Sequence, residues 1–230
     1  MCDTRNFRKE HDAFLQRFPY RTAVIEGIKV RYQYGGNENA PVLLFFNGLE
    51  MQEMWMPYAE KLRGKYRFLI YEYPHHTASP EEQINFVANL LKKLSIEKVV
   101  LIGASDGGVY AQIFAKRRPE LVQAMILTTT LTVASDLNYK KRFIHSFWCV
   151  YMLKDYPPFQ ANDFEYLRGR ILILLPENDI FKKEDQKRFA DLFRKLDAEI
   201  RTVPGGHVGF IVQAERYLDL METFLQRNGI

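Results

Sequence analysis

Three residues in this sequence have the side chains needed for covalent chemistry on an acyl group: Ser105, Asp179 and His207. A serine hydroxyl becomes a strong nucleophile when a histidine accepts its proton, and a carboxylate orients that histidine and stabilises its charged form. The three residues occur in the chain order Ser, Asp, His. The sequence therefore predicts a nucleophile, a carboxylate and a base that the fold must bring together.

Ser105 is the central residue of Gly103-Ala104-Ser105-Asp106-Gly107, which matches the pattern G-x-S-x-G. The apolar run Val99–Ile102 before it predicts a buried parallel strand, and Val109–Arg118 after it predicts a helix that ends before Pro119. In this context the pattern forms a sharp turn that exposes the serine hydroxyl. The alternative is an ordinary strand-to-helix turn in which Ser105 only caps the helix.

Asp179 and His207 each follow a predicted strand. Arg170–Leu175 is predicted to be the strand before Asp179, and Glu199–Val203 the strand before Gly205-Gly206-His207. Sites in parallel sheets lie at the carboxyl ends of the strands, so we expect both side chains at the same edge as Ser105. Taken singly, a helix-capping Asp179 and a structural His207 are the alternatives.

Two other carboxylates compete with Asp179 for the role of the acid. Asp136 lies in the region after the predicted strand Leu121–Thr129, a position beside the serine turn in a doubly wound sheet. Glu177 lies in the same loop as Asp179 and is less favoured than Asp136.

The rest of the chain alternates apolar strands with amphipathic helices. This alternation predicts an α/β fold: a doubly wound, mostly parallel sheet of about eight strands with helices on both faces. Residues 1–19 form a polar lead-in with possible helical character, and 1–230 is long enough for a single domain. The other predicted strands are Thr22–Glu26, Ile28–Tyr34, Val42–Phe46 and Tyr66–Tyr71; the other predicted helices are Met51–Arg63, Pro80–Leu94, Lys183–Leu196 and Val208–Arg227.

An aromatic-rich segment interrupts this alternation at about residues 131–169, where we expect a small helical cap. Its apolar residues surround the predicted helix 143–153, so we expect burial against the sheet, the site or a second subunit, and a homodimer through the cap is among these expectations. Four rings are candidates to line a substrate pocket for apolar groups of modest size, with packing on the sheet as the alternative. They are Phe143, Phe147, Trp148 and Tyr151.

The composition disfavours several other classes of protein. The net charge of +4 comes from scattered clusters with acidic residues between them, so we expect no nucleic-acid partner. Neither a membrane span nor an export signal is predicted, and two cysteines are too few for a disulfide framework, which favours the cytoplasm. His75-His76 lacks a second group of ligands, so we predict no metal and no other cofactor.

The serine turn, the loop with Asp179, the late Gly-Gly-His207 and the alternating strands together resemble the α/β-hydrolase superfamily, over nearly the whole chain. The resemblance implies a serine hydrolase that cleaves a small carboxylic ester, thioester or lactone, with Ser105 as nucleophile, His207 as base and Asp179 as acid. It also implies an oxyanion hole made by the backbone N–H groups of Leu49 and Asp106. Asn47-Gly48 precedes Leu49 where many members have His-Gly, a change that leaves the backbone donor in place.

Two other functions stay open from the sequence. A lyase of the hydroxynitrile type can use the same residues with the serine as a base. The segment Tyr71-Glu72-Tyr73-Pro74 and the serine turn are also similar to maspardin, a branch regarded as an adaptor without hydrolase activity. Maspardins have Gly-Gly-Asn where this chain has Gly-Gly-His207, so here the base is present.

The carboxylate of Asp106 leads to an expectation about the substrate. It lies at the start of a predicted helix, where the helix dipole favours its charged form. If its side chain faces the cavity, it disfavours anionic substrates. The segment between the strands that end near Thr129 and begin near Arg170 is too short for a lid of several helices, so we expect a narrow entrance. From this short cap and Asp106 together, we expect short neutral or amine-bearing acyl groups rather than long fatty chains or free carboxylates.

Overall fold

The computed structural model of the chain describes residues 4–48, 51–74, 79–132, 153 and 156–230. Its strands are β1 (Arg21–Ile25), β2 (Ile28–Gly36), β3 (Val42–Phe46), β4 (Arg67–Tyr71), β5 (Val99–Ala104), β6 (Val122–Thr128), β7 (Ile171–Asn178) and β8 (Glu199–Gly206). The α-helices of the described residues are α1 (Thr4–Arg17), α2 (Met56–Leu62), α3 (Pro80–Lys93), α4 (Asp106–Arg117), α5 (Lys183–Arg194), α6 (Gly209–Val212) and α7 (Ala214–Arg227). Short 3₁₀ helices occur at Gln52–Trp55, Pro119–Leu121 and Ala161–Leu167.

The eight strands form one sheet in the order β1-β2-β4-β3-β5-β6-β7-β8. β2 pairs antiparallel with β1 and with β4, and every other pair is parallel. The predicted α/β class with a mostly parallel sheet of about eight strands is therefore confirmed. The chain crosses from β4 back past β3 to β5, so the strand order reverses beside β5, and ligand sites in such sheets lie in the crevice at this reversal.

Two apolar clusters cover the two faces of the sheet, and the side chains of the central strands alternate between them. In β3, Val42, Leu44 and Phe46 join one cluster, while Leu43 and Phe45 join the other. The first cluster includes residues of α3, α4 and α5; the second includes residues of α1, α2 and α7. Continuous apolar runs are required because a sheet with helices on both faces is buried on both sides.

A local signal explains where α3 begins. Ser79 accepts a hydrogen bond from the Glu82 N–H at 3.2 Å and caps α3, whose first residue is Pro80. The proline loses nothing there, because the first N–H groups of a helix have no partner within the helix. Helix α1 shows that residues 4–17 of the polar lead-in are helical, as the sequence suggested.

The helices differ from the predicted ones at four main points. Helix α4 begins directly after Ser105, at Asp106 rather than Val109, and the predicted helix Met51–Arg63 is divided between a 3₁₀ turn and α2. The predicted helix Val208–Arg227 is interrupted at Gln213, whose φ of −128° and ψ of 36° are not helical. Ala161–Leu167 is a 3₁₀ helix that the sequence pattern did not indicate.

Strands β7 and β8 are both longer than predicted. Asn178 pairs with Gly206 beyond a register shift that follows Pro176. A proline interrupts the regular ladder because it has no N–H to donate, yet pairing resumes after it. As a result, Asp179 and His207 each come directly after a strand end.

Several predicted features lie outside the described residues. These include the cap helix with its four aromatic side chains Phe143, Phe147, Trp148 and Tyr151, and also Leu49, Asp136 and His75-His76. The predictions about them, including a homodimer through the cap, stay predictions.

Candidate active site

Ser105 lies at a backbone turn of unusual geometry between β5 and α4. Its φ of 55° and ψ of −130° belong to a region that residues with a side chain rarely adopt. The Ser105 N–H donates to the Thr128 carbonyl at 3.2 Å, and the Ser105 carbonyl accepts from the Gly108 N–H at 3.0 Å. The end of β6 and the first turn of α4 therefore hold the strained conformation in place.

Glycine is required around this turn because backbone segments come very close to one another. A Cβ on Gly103 would lie 2.7 Å from Gly108 Cα and 2.8 Å from the Gly107 carbonyl oxygen. A Cβ on Gly48, after β3, would lie 3.1 Å from the Ser105 Cβ. The glycines of the G-x-S-x-G pattern are thus needed because the neighbouring backbone leaves no room for a Cβ. The loop after β3 begins in contact with Ser105.

A continuous chain of hydrogen bonds joins the three residues singled out in the sequence. His207 Nε2 lies 3.1 Å from Ser105 Oγ, and His207 Nδ1 lies 2.7 Å from Asp179 Oδ1. The Asp179 side chain is 1% exposed, whereas the His207 side chain is 19% exposed. The carboxylate is shielded from water while the imidazole is accessible, an arrangement suited to moving a proton to and from Ser105.

The His207 imidazole is also held by an aromatic neighbour. The Phe181 ring meets it edge to face, with ring centroids 5.1 Å apart and an interplanar angle of 85°. Phe181 is held in turn, because Gln186 Nε2 donates to its carbonyl at 3.3 Å. Sequence reasoning missed this residue; its position two residues after Asp179 was the only available signal.

Two buried tyrosines lie beneath the segment that carries His207. Tyr58 Oη donates to the Phe210 carbonyl at 2.5 Å, and the Phe210 ring packs on Trp55 at 5.5 Å. Burial, and then the negative charge of Asp179, raise the pKa of Tyr217 to about 12. The contacts of Tyr58 and Trp55 fix the position of α6, which begins two residues after His207, and the sequence pattern did not indicate them beyond a core role.

The end of β3 is fixed by hydrogen bonds as it enters the predicted oxyanion loop. Asn47 Nδ2 donates to the Tyr71 carbonyl at 2.8 Å, and Tyr73 Oη donates to the Asn47 carbonyl at 2.8 Å. Asn47 is fully buried, at the position where many α/β-hydrolases have histidine. Asp106, which carries the other predicted oxyanion donor, is the first residue of α4, and its side chain is buried.

The structure distinguishes the candidate acids where they are described. Asp179 bonds to His207, whereas the neighbouring Glu177 is exposed and its carbonyl accepts a hydrogen bond from Lys183 Nζ. Asp136 lies outside the described residues. Within the described ranges, no three His, Cys, Asp or Glu side chains are grouped as a metal ion would need, and no helix is long and apolar enough to cross a bilayer.

Comparison with known proteins defines the family. The alpha/beta hydrolase fold family matches residues 41–196, and the chain belongs to this family. A putative lipase from Acinetobacter baumannii superposes with a TM-score of 0.76 at 15% identity, covering 100% of this chain and 97% of that one. Naproxen esterase from Bacillus subtilis gives a TM-score of 0.69 at 19% identity, covering 98% and 99%. At these identities the likeness shows the fold.

The curated relatives include proteins whose names describe hydrolases. A 3-oxoadipate enol-lactonase from Acinetobacter baylyi is 33% identical over 94 residues, which are 37% of this chain and 35% of that one. A pimeloyl-[acyl-carrier protein] methyl ester esterase from Legionella pneumophila is 30% identical over 109 residues, covering 46% and 44%. An uncharacterized Mycobacterium tuberculosis protein is 26% identical over 143 residues, covering 58% and 41%. Each alignment thus spans less than half of the relative.

Proposed function

We propose that this protein is a serine hydrolase that cleaves a small carboxylic ester, thioester or lactone through an acyl-enzyme. The observation that carries the proposal is the chain of hydrogen bonds from Ser105 through His207 to Asp179. Its geometry matches the distances that a nucleophile, a base and an orienting acid require. The strained backbone at Ser105 supports the same proposal, since strain of this kind is concentrated at functional sites.

In the proposed reaction, Ser105 Oγ attacks the acyl carbon while its proton moves to His207 Nε2. The negative oxygen that forms is stabilised by the backbone N–H groups of Asp106 and Leu49. The bond to the leaving group then breaks, and His207 gives its proton to the departing oxygen or sulfur. Water, deprotonated by the same histidine, hydrolyses the acyl-enzyme and regenerates Ser105.

The substrate class is proposed from the site and from the relatives together. The enol-lactonase and the methyl ester esterase both have names that describe cleavage of an acyl–oxygen bond. Among acyl groups, we propose short neutral or amine-bearing ones, for the reasons given from the short cap and Asp106. A single domain over 1–230 with a cap at about 131–169, and a cytoplasmic location, remain predictions.

A serine-reactive fluorophosphonate tests the nucleophile directly. The serine oxygen bonds to phosphorus and fluoride leaves, so we expect stoichiometric labelling of the wild type that Ser105→Ala abolishes. Ser95→Ala is a matched control, because Ser95 also has a positive φ, of 54°, but lies on the exposed turn before β5. Hydrolysis of short p-nitrophenyl esters should follow the labelling.

The other outcomes separate the competing functions. Folded wild-type protein that is not labelled would favour a binding protein of the maspardin kind. Labelling at Ser105 without turnover of any ester, thioester or lactone would favour the lyase.

A further inference from the structure

Three exposed aliphatic side chains lie in the two segments that carry Asp179 and His207, and we call them the apolar rim. Ile180 follows Asp179 and is 61% exposed, Val208 follows His207 and is 53% exposed, and Val212 is 68% exposed. In the described part of the chain, large apolar side chains are exposed at only three other positions, Val24, Met51 and Tyr166. Half of the exposed set therefore lies within five residues of Asp179 or His207 along the chain, and clustered exposed apolar groups mark binding sites.

Pairing and helical geometry bring the members of the apolar rim together. Ile180 and Val208 both come two residues after the paired positions Asn178 and Gly206 on neighbouring parallel strands. Val212 is one helical turn beyond Val208, and its N–H donates to the Val208 carbonyl at 3.1 Å. Residues four apart on a helix lie on the same face.

The neighbours of the apolar rim are packed inward, so its exposure is not a sign of loose packing. Phe181, next to Ile180, is buried with its ring against His207. Phe210, between Val208 and Val212, is buried against Trp55. The same two segments thus supply the packing beneath His207 and present aliphatic groups to the outside.

The strand order indicates which part of a substrate would reach the apolar rim. β5, which ends directly before Ser105, has β3 on one side and β6, β7 and β8 on the other. The predicted oxyanion donor Leu49 follows β3, whereas His207 follows β8 and reaches Ser105 from the opposite side. Since His207 Nε2 must protonate the leaving oxygen, the leaving group departs on the His207 side.

We propose that the apolar rim is a subsite for an apolar leaving group, the alkyl chain of the alcohol or thiol that the enzyme releases. This inference rests on the proposed function and makes it more specific. In the acylation step Ser105 Oγ bonds to the acyl carbon, the bond from that carbon to the leaving oxygen or sulfur breaks, and the Ser105 proton passes through His207 to the leaving atom. The released chain is then next to Ile180, Val208 and Val212.

Two ester series test the subsite by following kcat/KM in a pH-stat. One series holds the acyl group as acetyl and lengthens the alcohol from ethyl to butyl to hexyl; the other holds a methyl alcohol and lengthens the acyl group over the same range. Removing a methylene from water is worth about a fourfold gain in binding. We therefore expect wild-type kcat/KM to rise by up to about fourfold per methylene in the alcohol series.

The triple variant Ile180→Thr/Val208→Thr/Val212→Thr should lose at least half of that dependence, measured on a logarithmic scale, and keep the acyl-series dependence unchanged. Val24→Thr is the matched control, because Val24 is 55% exposed on β1 at the far edge of the sheet. In Val24→Thr, kcat/KM should depend on alcohol length and on acyl length as it does in the wild type. Thermal melts should coincide for all variants, since each replaced side chain is exposed.

Failure of the inference is distinct from failure of the proposed function. If the wild type hydrolyses the esters and the triple variant keeps the dependence of kcat/KM on alcohol length, the inference alone is overturned. The same holds if the triple variant loses chain-length dependence equally in the alcohol and acyl series. Ester hydrolysis that persists in Ser105→Ala, or its absence from the wild type in both series, would overturn the two together.

Discussion

The first turn of α4 packs on the end of β3 so closely that a Cβ on Gly107 would lie 2.7 Å from the Asn47 carbonyl oxygen. Real Cβ atoms do not approach backbone atoms at such distances, so a side chain at Gly107 must displace α4 or β3. Both elements contribute to the candidate site: α4 follows Ser105, and β3 leads into the predicted oxyanion loop.

Gly107→Ala should therefore impair catalysis and stability together. We expect a loss of about 1–3 kcal/mol in the free energy of unfolding, as in other overpacked sites, and a fall in kcat of about 100-fold from misplacement of the serine turn. Gly64→Ala is the control, because a Cβ at Gly64 meets no atom within 4 Å. Equal stability and kcat in the two variants would contradict the packing argument.

His207→Ala should remove hydrolysis while leaving the protein folded. The members of a catalytic triad act as a unit, and loss of the base typically costs about 10⁴-fold or more in kcat. His207 follows the end of β8 and its side chain is 19% exposed, so we expect the sheet and helices to form without it. Turnover above a tenth of the wild-type value, in protein with an unchanged circular dichroism spectrum, would remove His207 from the mechanism.

The two candidate acids can be ranked by kinetics. Asp179→Asn keeps the shape of the side chain but replaces the charge that supports the imidazole, so we expect about a 10⁴-fold loss of kcat. Asp136→Asn should leave kcat within a few-fold of the wild type. The reverse ranking would transfer the role of the acid to Asp136.

The strands and the turn at Ser105 could be predicted because each has a local signal. Apolar β-branched runs identify strands that are buried on both faces, and the glycines around Ser105 are needed for local backbone space. Strand order does not follow from such patterns, because it depends on pairing between distant segments. The ends of β7 and β8 could not be predicted for the same reason, because Asn178 and Gly206 are strand residues only by pairing with each other.

Thr129 shows most clearly what local patterns miss. This β-branched residue has a φ of 47°, a conformation that propensity rules reserve for glycine or asparagine. The residues on both sides of Thr129 are fixed by contacts with distant parts of the chain. The Thr128 carbonyl accepts a hydrogen bond from the Ser105 N–H, and the Thr130 side chain packs against Gly108, so the backbone at Thr129 must join these two positions. The contacts of Phe181 and Tyr58 were unpredictable for the same reason, because each partner is distant along the chain or specified only by packing.

The buried Tyr217 hydroxyl should make the stability of this protein depend on pH in the alkaline range. Burial and the charge of Asp179 raise the pKa of Tyr217 to about 12, so between pH 10 and 12 the unfolded phenol loses its proton while the folded one keeps it. The unfolded state then binds fewer protons, and stability falls as pH rises, by up to about 1.4 kcal/mol per pH unit for one proton. Below pH 10 the contribution is fully present.

Tyr217→Phe isolates this effect. Its hydroxyl finds no hydrogen-bond partner within the described part of the chain, so the variant should lose less than about 1 kcal/mol of stability at pH 7. Urea unfolding at intervals from pH 8 to pH 12 should show that the free energy of unfolding falls less steeply with pH in Tyr217→Phe than in the wild type. The difference in slope should be at most that of one proton, about 1.4 kcal/mol per pH unit. Asp179→Asn should reduce the slope less, because burial remains and only the carboxylate charge is lost. Parallel curves for Tyr217→Phe and the wild type would show that the phenol ionises equally in both states.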